Sequence, residues 1–281
     1  MNELIFNENL FLIILGIIWI IGAILQDFKR REVDNIWNFS LIIFALVYRL
    51  LVAIFISDWS YFFNGLIGLG IFFVLSNIFY YGRLFAGGDS SLLFALGPIL
   101  TLSSNWILNF KIYGGFIFLF LVLGSIYSLI YSFVLALITW KFFKKEFKKN
   151  ILKFKTMIFF ALGFSIIWAL SFYLFSEFIF SLLGILVLIF PFLFIYAKSI
   201  ENCCMIKLVS PNQVTEGDWL NRDIKIGKRV IRANWEGISR KDLIFLQRNY
   251  RKKVWVKYGV PFTPSFLFGL IGLIWILIIF N

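Results

Sequence analysis

Leu10-Phe-Leu-Ile-Ile-Leu-Gly-Ile-Ile-Trp-Ile-Ile-Gly-Ala-Ile-Leu25 carries no charge, and Gln26-Asp27-Phe28-Lys29-Arg30-Arg31 follows at once. A helix needs about 20 predominantly apolar residues to cross a bilayer. This stretch, with its neighbours, meets that length and ends where charge begins. It is read as a retained membrane helix, because a cleaved signal peptide starts with a positive segment and ends at small residues. Here Glu3 and Glu8 precede the apolar run, and only Gln26 separates Leu25 from Asp27.

The same pattern recurs along the 281 residues. Apolar side chains make up 61% of the chain, 37 of the residues are Phe, and only 15% are charged. A soluble domain carries about 45–50% apolar and about 25% charged residues, so the excess must face lipid. The predicted spans are 9–26, 36–57, 61–81, 89–106, 114–140, 156–175, 178–197 and 262–280. The fold class is therefore all-α and polytopic, with about eight transmembrane helices. A small mixed α/β domain precedes the last of them. The predicted organisation is 1–197 for seven helices, 198–257 for the polar domain and 258–281 for the final helix.

Charge orients these spans. Cytoplasmic loops are enriched in Lys and Arg. Loop 27–35 holds Lys29, Arg30 and Arg31, loop 82–88 holds Arg83, and 141–155 holds seven lysines. The long polar segment 198–257 is basic too. With eight spans all four regions fall on one side, the cytoplasm, and both termini lie outside. Topology and attraction to anionic headgroups account for most of the +12 net charge. Nucleic acid is not an expected partner, since that would need a basic groove with aromatic platforms and the lysine tract borders the bilayer.

Within 198–257, alternation over Ile224–Val230 and Lys253–Lys257 predicts short strands. Ser239 three residues before Asp242 predicts a capped helix through Asn249. Sixty residues make a marginal independent core, so this domain is expected to lean on the membrane part and cover the active-site face.

The chain has no histidine and only two cysteines, the neighbours Cys203 and Cys204. That removes Ser-His and Cys-His catalysis and most zinc sites. Neither a metal nor a cofactor is expected, and the two thiols fit a reducing compartment. Ionisable residues near a bilayer need a reason. Asp27, Glu32, Asp34 and Asp89 all sit at the cytoplasmic boundary, in two different loops. Asp89 follows Ala86-Gly87-Gly88 and precedes an apolar run. It reads either as a helix cap after a glycine turn or as a functional acid, and Asp27 either as a boundary marker or as its partner. Two carboxylates held close cannot both ionise and so share one proton. That is the equipment of an aspartyl protease, which needs no metal.

Three segments resemble the type IV prepilin peptidases, especially the archaeal preflagellin (pre-archaellin) peptidases. Asp27-Phe-Lys-Arg-Arg-Glu-Val-Asp-Asn-Ile-Trp-Asn38 is similar to the family's aspartate followed by basic residues, an acidic residue and a late Asn. Gly87-Gly88-Asp89, with Leu96-Gly97 beyond, is similar to its GxGD motif. Gly259-Val-Pro-Phe-Thr-Pro-Ser-Phe-Leu267 is similar to the approach to the last helix in archaeal members. The departures are Ala86 for the first glycine, Ser91 where many members have Lys, and Asp34 for a proline. The four-cysteine segment of many bacterial relatives is absent, so their paired methyltransferase activity is not implied.

The resemblance implies an aspartic endopeptidase that removes the short basic leader from pilin-like or archaellin precursors at the cytoplasmic membrane face. Asp27 and Asp89 would be catalytic. Gly87 and Gly88 would serve backbone conformation. Glu32 and Asp34 would tune the site or bind the leader, unless they only balance Lys29–Arg31. Pro261 and Pro264 would begin the final helix. Loop-borne aspartates can stand apart in an empty enzyme and close on substrate. A presenilin-type protease would want both aspartates deep in helices, and a transporter would show internal repeats. A non-catalytic platform of a pilus or secretion system is the alternative. Nothing in the sequence fixes an oligomeric state.

Overall fold

The computed structural model describes residues 2–175, 178–227, 229–234 and 236–279. Its helices are α1 (Asn2–Arg30), α2 (Asn35–Phe55), α3 (Ser60–Tyr81), α4 (Gly87–Ala95), α5 (Gly97–Leu100), α6 (Trp106–Ile138), α7 (Trp140–Lys153), α8 (Lys155–Phe175), α9 (Phe178–Ile200), α10 (Arg240–Asn249) and α11 (Pro264–Ile279). The strands are β1 (Ile206–Val209), β2 (Trp219–Leu220), β3 (Ile224–Ile226), β4 (Arg229–Ile231) and β5 (Val254–Lys257). The chain is a multi-pass membrane protein. Among the described residues five helices are long and apolar enough to cross a bilayer, or six if α7 and α8, bent by 67°, count as one span. The predicted boundary at Ser176 and Glu177 lies outside the described residues.

Residues 1–130 and 260–281 form one compact unit, and residues 131–259 form another. In the first, α4 and α5 are the interior. Leu92, Leu93, Leu96, Ile99 and Leu100 have almost no exposed surface, and the outer faces of α1, α2 and α3 carry exposed Leu, Ile, Val and Phe. Lipid is as apolar as leucine, so association of such helices rests on close packing and hydrogen bonds rather than release from water. Both are present. A methyl group on Gly97 would meet the Gly68 carbonyl at 2.7 Å, so α3 and α5 touch backbone to backbone.

The sequence reading treats 89–106 as one span, and the structure breaks it. Pro98 lies in the first turn of α5, where its missing N–H costs nothing, whereas inside a continuous helix it would remove a hydrogen bond. Thr101–Asn105 then leave the helix. The carbonyls this exposes are served by Arg49 of α2, which has 1% of its surface exposed. Its Nε donates to Pro98 O at 2.8 Å, Nη1 to Tyr61 O at 3.0 Å and Nη2 to Thr101 O. The guanidinium also lies 4.6 Å from the Tyr61 ring centroid.

Two further boundaries differ. The predicted loop 141–155 is mostly α7, because its residues are amphipathic: Phe143 and Asn150 turn inward, and Asn150 Nδ2 donates to Ser199 Oγ at 3.0 Å. And α1 runs back to Asn2, taking in Glu3 and Glu8, which the sequence reading places before it.

The second unit also contains the polar segment. Strands β1, β5 and β2 form an antiparallel sheet in that order. The alternating stretch from Ile224 is a hairpin of β3 and β4 rather than one strand, because Gly227 turns the chain with φ +58°. Helix α10 starts as predicted, with Ser239 Oγ accepting from the Asp242 N–H at 3.3 Å. Leu220, Ile231, Leu246, Val254 and Val256 make the core. Cys203 and Cys204 are free thiols.

Candidate active site

Asp27 lies within the last turns of α1, not in a loop. The helix continues through Lys29 and Arg30, whose charges suit the negative end of a helix dipole. Arg31, with φ 62°, ends it. Asp89 lies in the first turn of α4, where the dipole favours an acid, and the cap position belongs to Ala86. At nine residues α4 is too short to cross a bilayer by itself. Asp89 stands beside the exposed stretch 81–84 and keeps some solvent access.

Thr263, fully buried just ahead of α11, meets both carboxylates. Its Oγ1 donates to Asp27 Oδ2 at 2.7 Å, and its backbone N–H approaches the same oxygen at 3.4 Å. Oγ1 lies 3.4 Å from Asp89 Oδ1. The two carboxylate oxygens are therefore no farther apart than 2.7 and 3.4 Å laid end to end. Asp27 is buried and Asp89 half-buried, so protein shields both carboxylates from most of the water.

The glycines before Asp89 do different jobs, and neither has positive φ. A Cβ on Gly88 would meet the Val33 backbone N at 3.2 Å and its Cβ at 3.3 Å, so the turn after α1 lies directly against it. A Cβ on Gly87 would meet nothing within 4 Å. Gly88→Ala is therefore expected to lower stability by about 1 kcal/mol through overpacking, and Gly87→Ala to leave it unchanged or slightly raised, since Ala favours helix by up to about 1 kcal/mol. Thermal midpoints in detergent check both. Ala86 has φ −73°, open to any residue, so the departure from glycine there brings no strain.

A polar junction holds α2 against α4. Asn38 Nδ2 donates to Gly88 O at 3.1 Å and Ser91 Oγ at 2.7 Å. Ser91 Oγ is 3.1 Å from Asn35 Oδ1 and 3.0 Å from Gly88 O, and Ser90 Oγ donates to Ser76 O at 2.8 Å. Ser91, a departure from the resembled family, thus fixes the backbone ahead of Asp89. Glu32 is exposed. Asp34 is exposed as well; its carboxylate pairs with Arg30 at 3.3 Å, and its backbone N–H donates to Gln26 Oε1 at 2.9 Å at the start of α2. Sequence reasoning named the stretch 259–267 but gave its prolines only a role in starting the helix. Thr263 was missed. The available signal was a polar side chain between two prolines at the mouth of an apolar helix.

Residues 14–141 match the family model of the type IV leader peptidase family. A preflagellin peptidase of Methanococcus maripaludis strain C6 is 33% identical over 88 residues, 31% of this chain. The match spans 37% of that relative's length. No solved structure matches the chain significantly. Asp27, Gly87, Gly88, Asp89 and the Asn38 junction all fall inside the matched segment, so residues 14–141, which hold them, are similar to the type IV leader peptidase family.

Proposed function

We propose that the chain is a membrane aspartic endopeptidase that removes the basic leader of pilin-like or archaellin precursors. The observation that carries this reading is the meeting of two carboxylates, from α1 and α4, inside the segment that matches a peptidase family. One aspartate, ionised, takes a proton from water. The other, protonated, polarises the scissile carbonyl. Water reaches the pair from the Asp89 side. The pair needs neither metal nor cofactor, and its pKa values belong to the two residues jointly.

The leader is short and basic and the segment after it is apolar, so the bond to be cut sits at a membrane surface. The positive regions 27–35, 82–88, 141–155 and 198–257 favour the cytoplasmic surface in an eight-span arrangement with both termini outside. The fourth span is then the broken pair α4 and α5, and α11, of 16 residues, is the last. The bilayer and the precursor are the partners.

Sidedness tests the reading. Inside-out vesicles carrying the chain are expected to cut an added precursor, and right-side-out vesicles to leave it whole. The reverse pattern would overturn the orientation. Silence of both, over several leaders, would favour a non-catalytic assembly platform.

A further inference from the structure

Thr263 lies outside the segment that matches the peptidase family, yet its hydroxyl is shared by both carboxylates. A hydroxyl has one proton to give and lone pairs to accept with. The contact of 2.7 Å to Asp27 Oδ2 takes the proton. The contact of 3.4 Å to Asp89 Oδ1 then faces lone pairs, which suit a protonated carboxyl donating toward them. The Thr263 N–H points to the same Asp27 oxygen at 3.4 Å. Two donors thus converge on one Asp27 oxygen, at 2.7 and 3.4 Å, while Asp89 meets only the longer hydroxyl contact.

The segment is fixed well enough to impose that asymmetry. Phe262 packs on Phe85 and Phe120, with ring centroids 5.9 and 5.4 Å away. Phe85 immediately precedes the Ala86-Gly87-Gly88-Asp89 turn. The Ser265 N–H donates to Phe262 O at 3.0 Å and the Phe266 N–H to Thr263 O at 3.1 Å. Pro261 and Pro264 restrict the backbone on either side.

We propose that Thr263 is a positioning residue that decides which aspartate carries the shared proton, leaving Asp27 ionised as the base and Asp89 protonated as the acid. The assignment rests on the dyad reading above. Asp27 takes a proton from water, whose oxygen bonds to the scissile carbonyl carbon, while the Asp89 proton passes to the carbonyl oxygen. Collapse breaks the C–N bond: the proton on Asp27 goes to the leaving nitrogen, and a hydroxyl proton of the intermediate returns to Asp89. The products are a carboxylic acid and an amine, and the starting protonation state of the two aspartates is restored.

The test is steady-state cleavage of a leader-bearing precursor by Thr263→Val, which keeps shape and loses the hydroxyl, and Thr263→Ser, which keeps it. Val is expected to lower kcat by about 10–100-fold with KM within about 2-fold, and Ser to stay within about 3-fold of wild type. Where Val does not accumulate, Thr263→Ala takes its place, with rates counted per folded molecule. Wild-type kcat in the Val or Ala variant, while Asp27→Asn and Asp89→Asn are inactive, would overturn the role of Thr263 and leave the dyad standing. A Ser variant as slow as Val would also overturn it, since loss would then follow packing and not the hydroxyl. Normal cleavage by either Asn variant would remove the dyad and this assignment with it.

Discussion

Asp27→Asn and Asp89→Asn are each expected to lower kcat for leader cleavage by at least about 10³-fold, because removing one member of a catalytic unit costs nearly as much as removing all. The amide keeps the shape of the carboxyl but cannot take or give the proton the reaction moves. At position 27 the amide can still accept the Thr263 hydroxyl, seen at 2.7 Å, through its oxygen, so the loss falls on proton transfer and not on this contact. At position 89 the amide removes the carboxyl that gives its proton to the scissile carbonyl oxygen in the proposed assignment. Both variants should accumulate and melt like wild type. Relieving two close carboxylates of mutual repulsion is no burden on the fold. Progress curves on the same membranes, with protein amounts matched by blot, check this.

The second large effect is on stability and lies at the other end of the same helices. Arg49→Met is expected to destabilise the fold by about 3–5 kcal/mol, since stranding each buried carbonyl costs about 1–3 kcal/mol. Three carbonyls depend on this side chain, those of Pro98, Tyr61 and Thr101. Two of them belong to the segment where α5 ends, where the carbonyl ends of the helix carry negative charge that a guanidinium offsets. Lys at 49 would supply one compact charge in place of a planar fork of donors, so Arg49→Lys should recover only part of the loss. Asn9, whose Oδ1 accepts from the Tyr61 hydroxyl at 3.0 Å, marks this end on α1, and Asp27 marks the other. Eighteen helical residues separate them by about 27 Å. Cleavage per folded molecule should therefore change little in Arg49→Met while the thermal midpoint drops. An unchanged midpoint would show that the three carbonyls find other partners.

That separation of scaffold from site explains what could be read from the sequence. Asp27 and Asp89 stood out because a charge at the edge of an apolar run is conspicuous, and the structure brings both side chains to the one Thr263 hydroxyl. Ser239 with Asp242, and the alternating Val254–Lys257, were legible because a cap and a strand are written in adjacent residues. Thr263 was not, since its meaning is a contact across more than two hundred positions with Asp27. The break between α4 and α5 was hidden for a related reason. From Leu92 to Leu100 the residues look like one span, and only the closeness of Gly97 to Gly68 and the reach of Arg49 from α2 make a broken, buried segment stable there. The lysine tract was read as a loop because its charges dominate the eye. Its helix depends on Phe143 and Asn150 finding cover. Gly88 was assigned to backbone freedom, whereas the structure asks it only to be small enough for Val33 to lie against it.

The most direct measurement is the intact mass of a leader-bearing precursor after incubation with membranes containing the wild-type chain, beside membranes containing the double variant Asp27→Asn, Asp89→Asn. The account predicts one new product, shortened by a mass that places the cut between the basic leader and the apolar helix, and only the full-length precursor with the variant. The same product from both membranes, or a cut elsewhere in the precursor, would contradict it.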